Sequence, residues 1–252
     1  DFDDNTVTGW TSLGNSLGAD HTISESGSTL TSEVVANQGN LNTHRGIVST
    51  TSFNPASEPG FSMSFVVSSQ GAPAPGANGM FLGITSSSST FFRTSGVSSF
   101  GLTLFGHVTR TQSNGGVSLV TNDIGAGGSA NEGLILGANP TAVLLASLQD
   151  GFTAVLGADP SGWSYSLTGI SDTGGAPTTI SESGTWADAG SDYASVFDGA
   201  TTWHALASNQ GDPSNNTHTL GLDQISITTI PEPSTGLLGF LSVAFFMHRR
   251  SR

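Results

Sequence analysis

Short segments in which apolar and polar residues alternate recur along this sequence. In the clearest of them, residues 61–67, the side chains of Phe61, Met63, Phe65 and Val67 fall on one side. Side chains of a β-strand point alternately to its two faces, so this period of two predicts a strand with one buried face. Similar patterns and short apolar runs predict further strands over residues 30–36, 46–52, 79–85, 100–104, 117–122, 142–148, 152–157, 163–167, 201–207 and 225–227.

Turn residues separate these segments. Glu58-Pro59-Gly60 and Asp159-Pro160-Ser161-Gly162 are examples, and such turns recur about every 8–12 residues, a spacing typical of sandwiches and barrels. We therefore expect an all-β fold, a two-sheet antiparallel β-sandwich over residues 1–229. Residues 141–148 also suit a short helix, but Asp150-Gly151 favours a hairpin that joins strands 142–148 and 152–157.

Charge and composition exclude several classes of function. The chain has 6 basic and 19 acidic residues, which give a net charge of −13. It lacks the basic surface that a nucleic-acid partner requires. There is no cysteine, so disulfides, thiolate metal sites and thiol nucleophiles are excluded. The histidines show no paired spacing that would indicate a transition-metal site.

The composition changes at Pro231-Glu232-Pro233. Residues 236–247 carry no charge, and Arg249, Arg250 and Arg252 follow them. As a helix, residues 236–247 would span about 18 Å, whereas a bilayer core is about 30 Å thick. We expect a short apolar C-terminal helix that enters a membrane, with its arginines on the cytoplasmic side. Residues 230–252 would then form a tail separate from the sandwich.

This order of Pro-Glu-Pro, apolar stretch and arginine cluster resembles the PEP-CTERM sorting signal of Gram-negative bacteria. The resemblance implies that an exosortase, a membrane peptidase, recognises the tail and removes it near Pro231–Pro233. It also implies export behind a signal peptide, transient anchoring in the inner membrane, and a final place at the cell surface or in the extracellular matrix. Pro231 and Pro233 suit this role because they keep the backbone extended.

The body of the chain carries a second resemblance. Residues 1–4, 9–10, 60–65, 79–83 and 222–227 form a pattern similar to concanavalin A-like and laminin-G jelly rolls. The pattern is also similar to galactose-binding-type carbohydrate modules. This resemblance implies a jelly roll with an extracellular polysaccharide as its partner.

Two groups of acidic residues are candidates for calcium, because hard cations take several oxygen ligands. One group is formed by Asp1, Asp3, Asp4 and Asn5, and it would meet Asp223 only if the first and last strands of the sandwich pair. The other comprises Asp188, Asp192 and Asp198. The alternative for both groups is a set of solvated acids at strand ends.

Aromatic side chains are candidates for a platform on which a sugar ring stacks. The residues concerned are Trp10, Trp163, Trp186, Tyr193 and Trp203. Trp163 lies in an alternating segment and is expected in the core. Trp186 lies in a loop-like segment and is the best candidate for an exposed ring, although core packing is the commoner fate of a tryptophan.

No catalytic constellation stands out. Residues 14–18 match G-x-S-x-G, but they lead into a strand at His21 rather than the helix that a nucleophile elbow needs. Residues 125–130 match G-x-G-x-x-A without a surrounding βαβ unit. The glutamates at 25, 33, 58, 132, 182 and 232 are scattered, and most are expected in loops. We expect a non-catalytic protein, with a glycan-active hydrolase or lyase and a purely structural matrix protein as alternatives.

One hexapeptide occurs twice. Thr-Ile-Ser-Glu-Ser-Gly stands at residues 22–27 and again at residues 179–184. Two copies this far apart do not indicate a repeat architecture. We expect them to be similar strand ends on opposite sides of the sandwich.

Overall fold

The alternating segments form strands in the computed structural model, which describes residues 8–14, 21–34, 44–70, 80–90, 96–104, 114–122, 135–144, 147, 150–172, 174–197, 202–210 and 218–230. The strands are β1 (Trp10–Gly14), β2 (His21–Ser26), β3 (Thr29–Val34), β4 (His44–Phe53), β5 (Phe61–Gln70), β6 (Met80–Thr85), β7 (Ser99–Leu104), β8 (Asn114–Asn122), β9 (Ile135–Leu144), β10 (Phe152–Asp159), β11 (Gly162–Ser171), β12 (Pro177–Gly184), β13 (Trp203–Gln210) and β14 (His218–Thr229). Two 3-10 helices (Pro55–Ser57 and Ala187–Ala189) and a short helix α1 (Tyr193–Phe197) are also described.

The strands form two seven-stranded sheets. The first has the order β1-β4-β13-β6-β7-β8-β9, and the second has the order β12-β11-β10-β5-β14-β3-β2. Neighbouring strands are antiparallel throughout both sheets. The predicted two-sheet antiparallel β-sandwich is thus confirmed. Residues 231–252 of the expected 230–252 tail, which include its apolar helix, lie outside the described residues.

Facing side chains of the two sheets form one core. The alternation in β5 buries Phe61, Met63, Phe65 and Val67 to 1% exposure or less, as the sequence predicts. Because successive residues of a strand point to opposite faces, the intervening residues of β5 face away from the first sheet. The outer face of the second sheet is therefore composed mainly of the polar residues of these segments, with Val66 and Val155 among them.

Helix α1 closes one end of the core with a cluster of aromatic rings. The Phe197 ring centroid lies 5.6 Å from that of Phe61 in the second sheet and 5.4 Å from that of Phe100 in the first. The Tyr193 hydroxyl donates a 2.8 Å hydrogen bond to the Pro55 carbonyl. Burial, followed by the nearby charges of Asp159 and Glu58, raises the pKa of Tyr193 to about 12.

The predicted hairpin between residues 142–148 and 152–157 is wrong. Strand β9 ends at Leu144 and pairs with β8 in the first sheet, whereas β10 pairs with β5 and β11 in the second. Gly151 lies between them with a φ of +93°, and a Cβ there would stand 2.7 Å from the Val67 carbonyl oxygen. The chain therefore uses Asp150-Gly151 to cross from one sheet to the other and to bring β10 against β5.

The two copies of the hexapeptide lie in β2 and β12, which are the outermost described strands of the second sheet. They are strands, as expected. They occupy opposite edges of a single sheet rather than opposite sheets of the sandwich.

Candidate ligand-binding face

Two rows of hydroxyl groups cross the outer face of the second sheet. The register pairs Ser183 with Ser164, Ser164 with Gly157, Gly157 with Ser62, and Ser62 with Thr228. The next row runs through Ser181, Ser166, Val155, Ser64 and Ser226. Neighbouring strands lie about 4.8 Å apart, and side chains of one face recur about every 7 Å along a strand. We call this surface the hydroxyl face and define it by Ser62, Ser64, Ser164, Ser166, Ser181, Ser183, Ser226 and Thr228.

The hydroxyl face is electrically neutral in a strongly acidic chain. None of the residues in its two rows carries a charge. The nearest carboxylate at the β10 end belongs to Asp159, whose Oδ1 accepts hydrogen bonds from the backbone N–H groups of Ser161 and Gly162. That carboxylate holds the turn between β10 and β11. The face therefore offers hydroxyl donors and acceptors without a fixed charge.

Two adjoining hollows lie at the β12 side of this face. One, of about 470 Å³, lies beside the β10–β11 turn and includes Ser62, Gly157 and Trp163 in its lining. The other, of about 390 Å³, lies above Val155 and Ser166. Ser164 and Ser183 line both hollows. Together they form a groove lined by serines and glycines and by apolar residues, with the carboxylates of Asp159 in the larger hollow and Glu182 in the smaller one.

Trp163 lines the larger hollow, but its indole packs into the core. The side chain is 7% exposed, and its buried Nε1 has no hydrogen-bond partner. By contrast, Nε1 of Trp186 donates a 2.7 Å hydrogen bond to the Asp159 carbonyl. The Trp163 indole approaches β12 closely because residue 184 is glycine, where a Cβ would lie 2.5 Å from the ring.

Trp186, the best candidate for an exposed ring, is buried instead. The side chain is 3% exposed, because its loop folds back and packs the indole 6.0 Å from Phe197 and 5.9 Å from Tyr193, measured between ring centroids. The expectation that Trp163 lies in the core is confirmed. Trp203 is fully buried, Tyr193 is 9% exposed, and Trp10 is half-buried. None of these five side chains forms an exposed platform.

The predicted acidic clusters are not assembled in the described part of the chain. Asp223 lies within β14, where its Oδ1 accepts a hydrogen bond from Thr29 Oγ1. The first and last described strands do not pair, because β1 pairs with β4 in the first sheet and β14 pairs with β3 and β5 in the second. Asp1, Asp3, Asp4 and Asn5 lie outside the described residues.

The second acidic group serves local turns. Asp188 accepts hydrogen bonds from the hydroxyl and backbone N–H of Thr185, and these lower its pKa. Asp192 accepts from the backbone N–H and hydroxyl of Ser195 at the start of α1, which lowers its pKa. Asp198 lies outside the described residues. Among the residues that are described, no group of three potential metal ligands comes together.

Three of the six glutamates lie on strands. Glu25 is in β2, Glu33 in β3 and Glu182 in β12. Glu58 follows the first 3-10 helix, and Glu132 and Glu232 lie outside the described residues. Glu25 and Glu182 are at opposite edges of the sheet, so they do not flank one cleft as the acid pair of a glycosidase would.

Other predicted features fall wholly or partly outside the description. Strand β2 begins at His21, as expected after residues 14–18, but residues 15–20 are not described. Residues 125–130 and the sorting-signal residues Pro231, Glu232, Pro233, Arg249, Arg250 and Arg252 are likewise outside it. Within the described ranges, no helix has the length and apolarity needed to cross a membrane.

No protein-family model and no curated protein matches this chain, but solved structures do. Basic winged bean lectin with Tn-antigen has 13% identity over 88% of this chain and 93% of that one, with a TM-score of 0.55. Winged bean acidic lectin complexed with methyl-α-D-galactose has 10% identity, 91% and 96% coverage, and a TM-score of 0.53. The exoplasmic/lumenal domain of VIP36 in a Ca²⁺/Man3GlcNAc-bound form has 8% identity, 89% and 85% coverage, and a TM-score of 0.52.

These likenesses identify the fold class. The chain has a two-sheet jelly-roll fold like that of these lectins, as the pattern of its body predicts. At sequence identities this low, the structural likeness establishes the fold but not the function.

Proposed function

We propose that this protein is a non-catalytic, exported β-sandwich that binds a neutral polysaccharide through the hydroxyl face. The observation that carries the proposal is the pair of uncharged hydroxyl rows beside a serine-lined groove. Sugar hydroxyls are both donors and acceptors, and so are serine hydroxyls, so the two surfaces can exchange hydrogen bonds with either polarity.

The chemistry of the face favours neutral over acidic glycans. The chain carries a net charge of −13, and the hydroxyl face contains no cation that would pair with a carboxylate or sulfate. An acidic polymer would therefore be repelled by the molecule as a whole. The structural neighbours with sugars in their structures support this class of partner by analogy of fold.

Binding is tested with the full chain on an array of neutral and acidic polysaccharides, followed by calorimetry. Ser164→Leu places a bulkier apolar group on the wall shared by both hollows and should weaken binding at least tenfold. Ser24→Leu is the matched control, because Ser24 is an exposed residue on β2 at the other edge of the same sheet. Equal affinity of the two variants would refute the assignment of the face.

The same assay tests whether binding depends on calcium. Each titration is repeated in calcium and in a chelator. Binding that survives the chelator and is weakened by Ser164→Leu supports the hydroxyl face as a calcium-independent site. Binding that is lost in the chelator and is insensitive to Ser164→Leu would transfer the site to the acidic cluster at residues 1–5.

Sorting through the tail is the second part of the proposal. It is supported by the sequence of residues 231–252 and by the position of Ile230, which is 40% exposed and follows the last strand. A segment that begins at the surface is accessible to a membrane peptidase. Mass spectrometry of the mature C-terminus, in a Gram-negative host with an exosortase, is expected to show cleavage near Pro231. An uncleaved Arg252 end on exported protein would refute processing.

A further inference from the structure

The repeated hexapeptide occupies equivalent positions at both edges of the second sheet. Residues 22–27 belong to β2 and its turn, and residues 179–184 belong to β12. In both copies the threonine and both serines are exposed on the outer side. In both copies the isoleucine and the glutamate share the opposite side, toward the first sheet. The copies therefore match in sequence, in position and in orientation.

The glutamates face inward rather than outward. Ile180 is 6% exposed and Ile23 packs against the same core. Glu182 and Glu25 lie two residues further on and are half-buried, and Oε1 of Glu25 is buried without a hydrogen-bond partner. An inward-pointing charge on an outermost strand is a known means of discouraging another strand from pairing there.

The two edge strands also run in the same direction. All neighbouring strands from β12 to β2 are antiparallel, and the seven strands make six such pairs. An even number of reversals leaves β12 and β2 parallel. If the sheet of one copy continued into the next, head to tail, β12 of the first would therefore lie parallel to β2 of the second.

The matching sequences decide which register such a contact would take. Placing Ile180 beside Ile23 continues the apolar core across the junction, and it also places Glu182 beside Glu25. Like charges directly beside each other on one face destabilise strand pairing. A slip of two residues sets a glutamate against an isoleucine, and a slip of one turns the apolar residues to the outer face. Registers with a shift of zero, one or two residues are thus all unfavourable.

We propose that the two copies of the hexapeptide repel each other and so prevent head-to-tail polymerisation of this protein through the edges of its second sheet. The partner that they exclude is a second copy of the chain. A heterologous contact of this type would not close on itself and would produce open filaments. The matched glutamates act at the junction, while the isoleucines keep each edge strand attached to its own core.

Charge reversal tests this proposal on the full chain. Glu25→Lys alone and Glu182→Lys alone each create a Lys–Glu pair at the head-to-tail junction. Both are expected to raise the weight-average mass in sedimentation at least twofold above the 25.6 kDa of one chain. The double variant, with lysine at both edges, restores a like-charge pair and should remain monomeric. Mixed with the unaltered protein, the double variant should co-assemble, because every junction then joins lysine to glutamate.

The control keeps the charge change and moves it away from the edges. Glu33 lies on β3 and Asp150 in an exposed turn, so Glu33→Lys/Asp150→Lys alters net charge as the double variant does. It should stay monomeric both alone and in the mixture. Circular dichroism verifies the fold of each variant. Glu25→Gln/Glu182→Gln, which preserves side-chain size, replaces any lysine variant that does not fold and should associate more than the unaltered protein.

The outcomes separate cleanly. Association of the single reversals and of the mixture, without association of the double variant or the control, supports the proposal. Single reversals that stay monomeric would overturn it. It is also overturned if the double variant associates by itself as strongly as the single ones, since charge at the junction would then be irrelevant. If the glutamine variant is the one tested, its remaining monomeric would overturn the proposal.

Discussion

Replacing Phe197 by alanine tests whether α1 closes one end of the sandwich. The ring has no exposed area, and its centroid lies 5.3 Å from that of Trp203 and 5.4 Å from that of Phe100, both in the first sheet. It also lies 5.6 Å from that of Phe61 in the second sheet. A single side chain therefore joins both sheets to α1.

The expected loss of stability follows from this environment. Removing a fully buried phenylalanine costs about 3–5 kcal/mol, and edge-to-face partners add to the value of such a ring. With several aromatic partners, Phe197→Ala should lie near the upper end, about 4–5 kcal/mol. Phe53→Ala is the control, because Phe53 is half-buried with a ring contact to Phe61 at 5.5 Å. We expect about 1–2 kcal/mol for it.

Urea unfolding followed by tryptophan fluorescence measures both variants. The midpoint should fall while the slope stays the same, since a loss confined to the native state leaves the exposed surface on unfolding unchanged. A loss below about 2 kcal/mol for Phe197→Ala, or one equal to that of Phe53→Ala, would refute the closing role, because a fully buried ring that joins two sheets must cost more than a half-buried one.

The same variant has a consequence for the groove. The Trp186 indole packs against Phe197 and donates to the Asp159 carbonyl, and Asp159 belongs to the turn that lines the larger hollow. Loss of Phe197 should therefore weaken ligand binding as well as stability. Phe53→Ala should leave binding unchanged.

Three further predictions use the same urea assay. Gly151→Ala should cost about 2 kcal/mol or more, because residue 151 has a φ of +93° and its Cβ would meet the Val67 carbonyl at 2.7 Å. Tyr193 has a pKa of about 12 in the folded protein and about 10 unfolded. Stability should therefore be full below pH 10 and fall between pH 10 and 12, and Tyr193→Phe should remove that fall. Trp186→Phe should cost about 1 kcal/mol more than Trp163→Phe, since only the former loses a hydrogen bond.

The central strands were predictable because their pattern is strong. Strands β5, β10 and β11 alternate over most of their length, and burial follows that alternation. The edge strands are weaker cases. Strand β2 includes Ile23 as its one aliphatic residue and β12 includes Ile180, so a period of two is hardly visible in them. The repeated hexapeptide was the main sequence signal for these two edge strands.

Long-range connections were not predictable. Asp150-Gly151 predicts a reversal of the chain, but it does not predict in which sheet the chain continues. That choice depends on Gly151 fitting against Val67 and Ser68, residues about eighty positions earlier. The burial of Trp186 has the same origin, because a loop-like segment becomes core only when α1 supplies Phe197 and Tyr193.

The hydroxyl face shows why this candidate site could not be predicted from the sequence. Serine at alternate positions of β5 or β11 indicates only that one side of the strand is polar. Rows form when the register places Ser62, Ser164 and Ser183 side by side, and that register is set by the buried residues between them. Neither an aromatic ring nor an acidic cluster marks such a surface. Its chemistry comes from the arrangement of serine and threonine side chains across neighbouring strands.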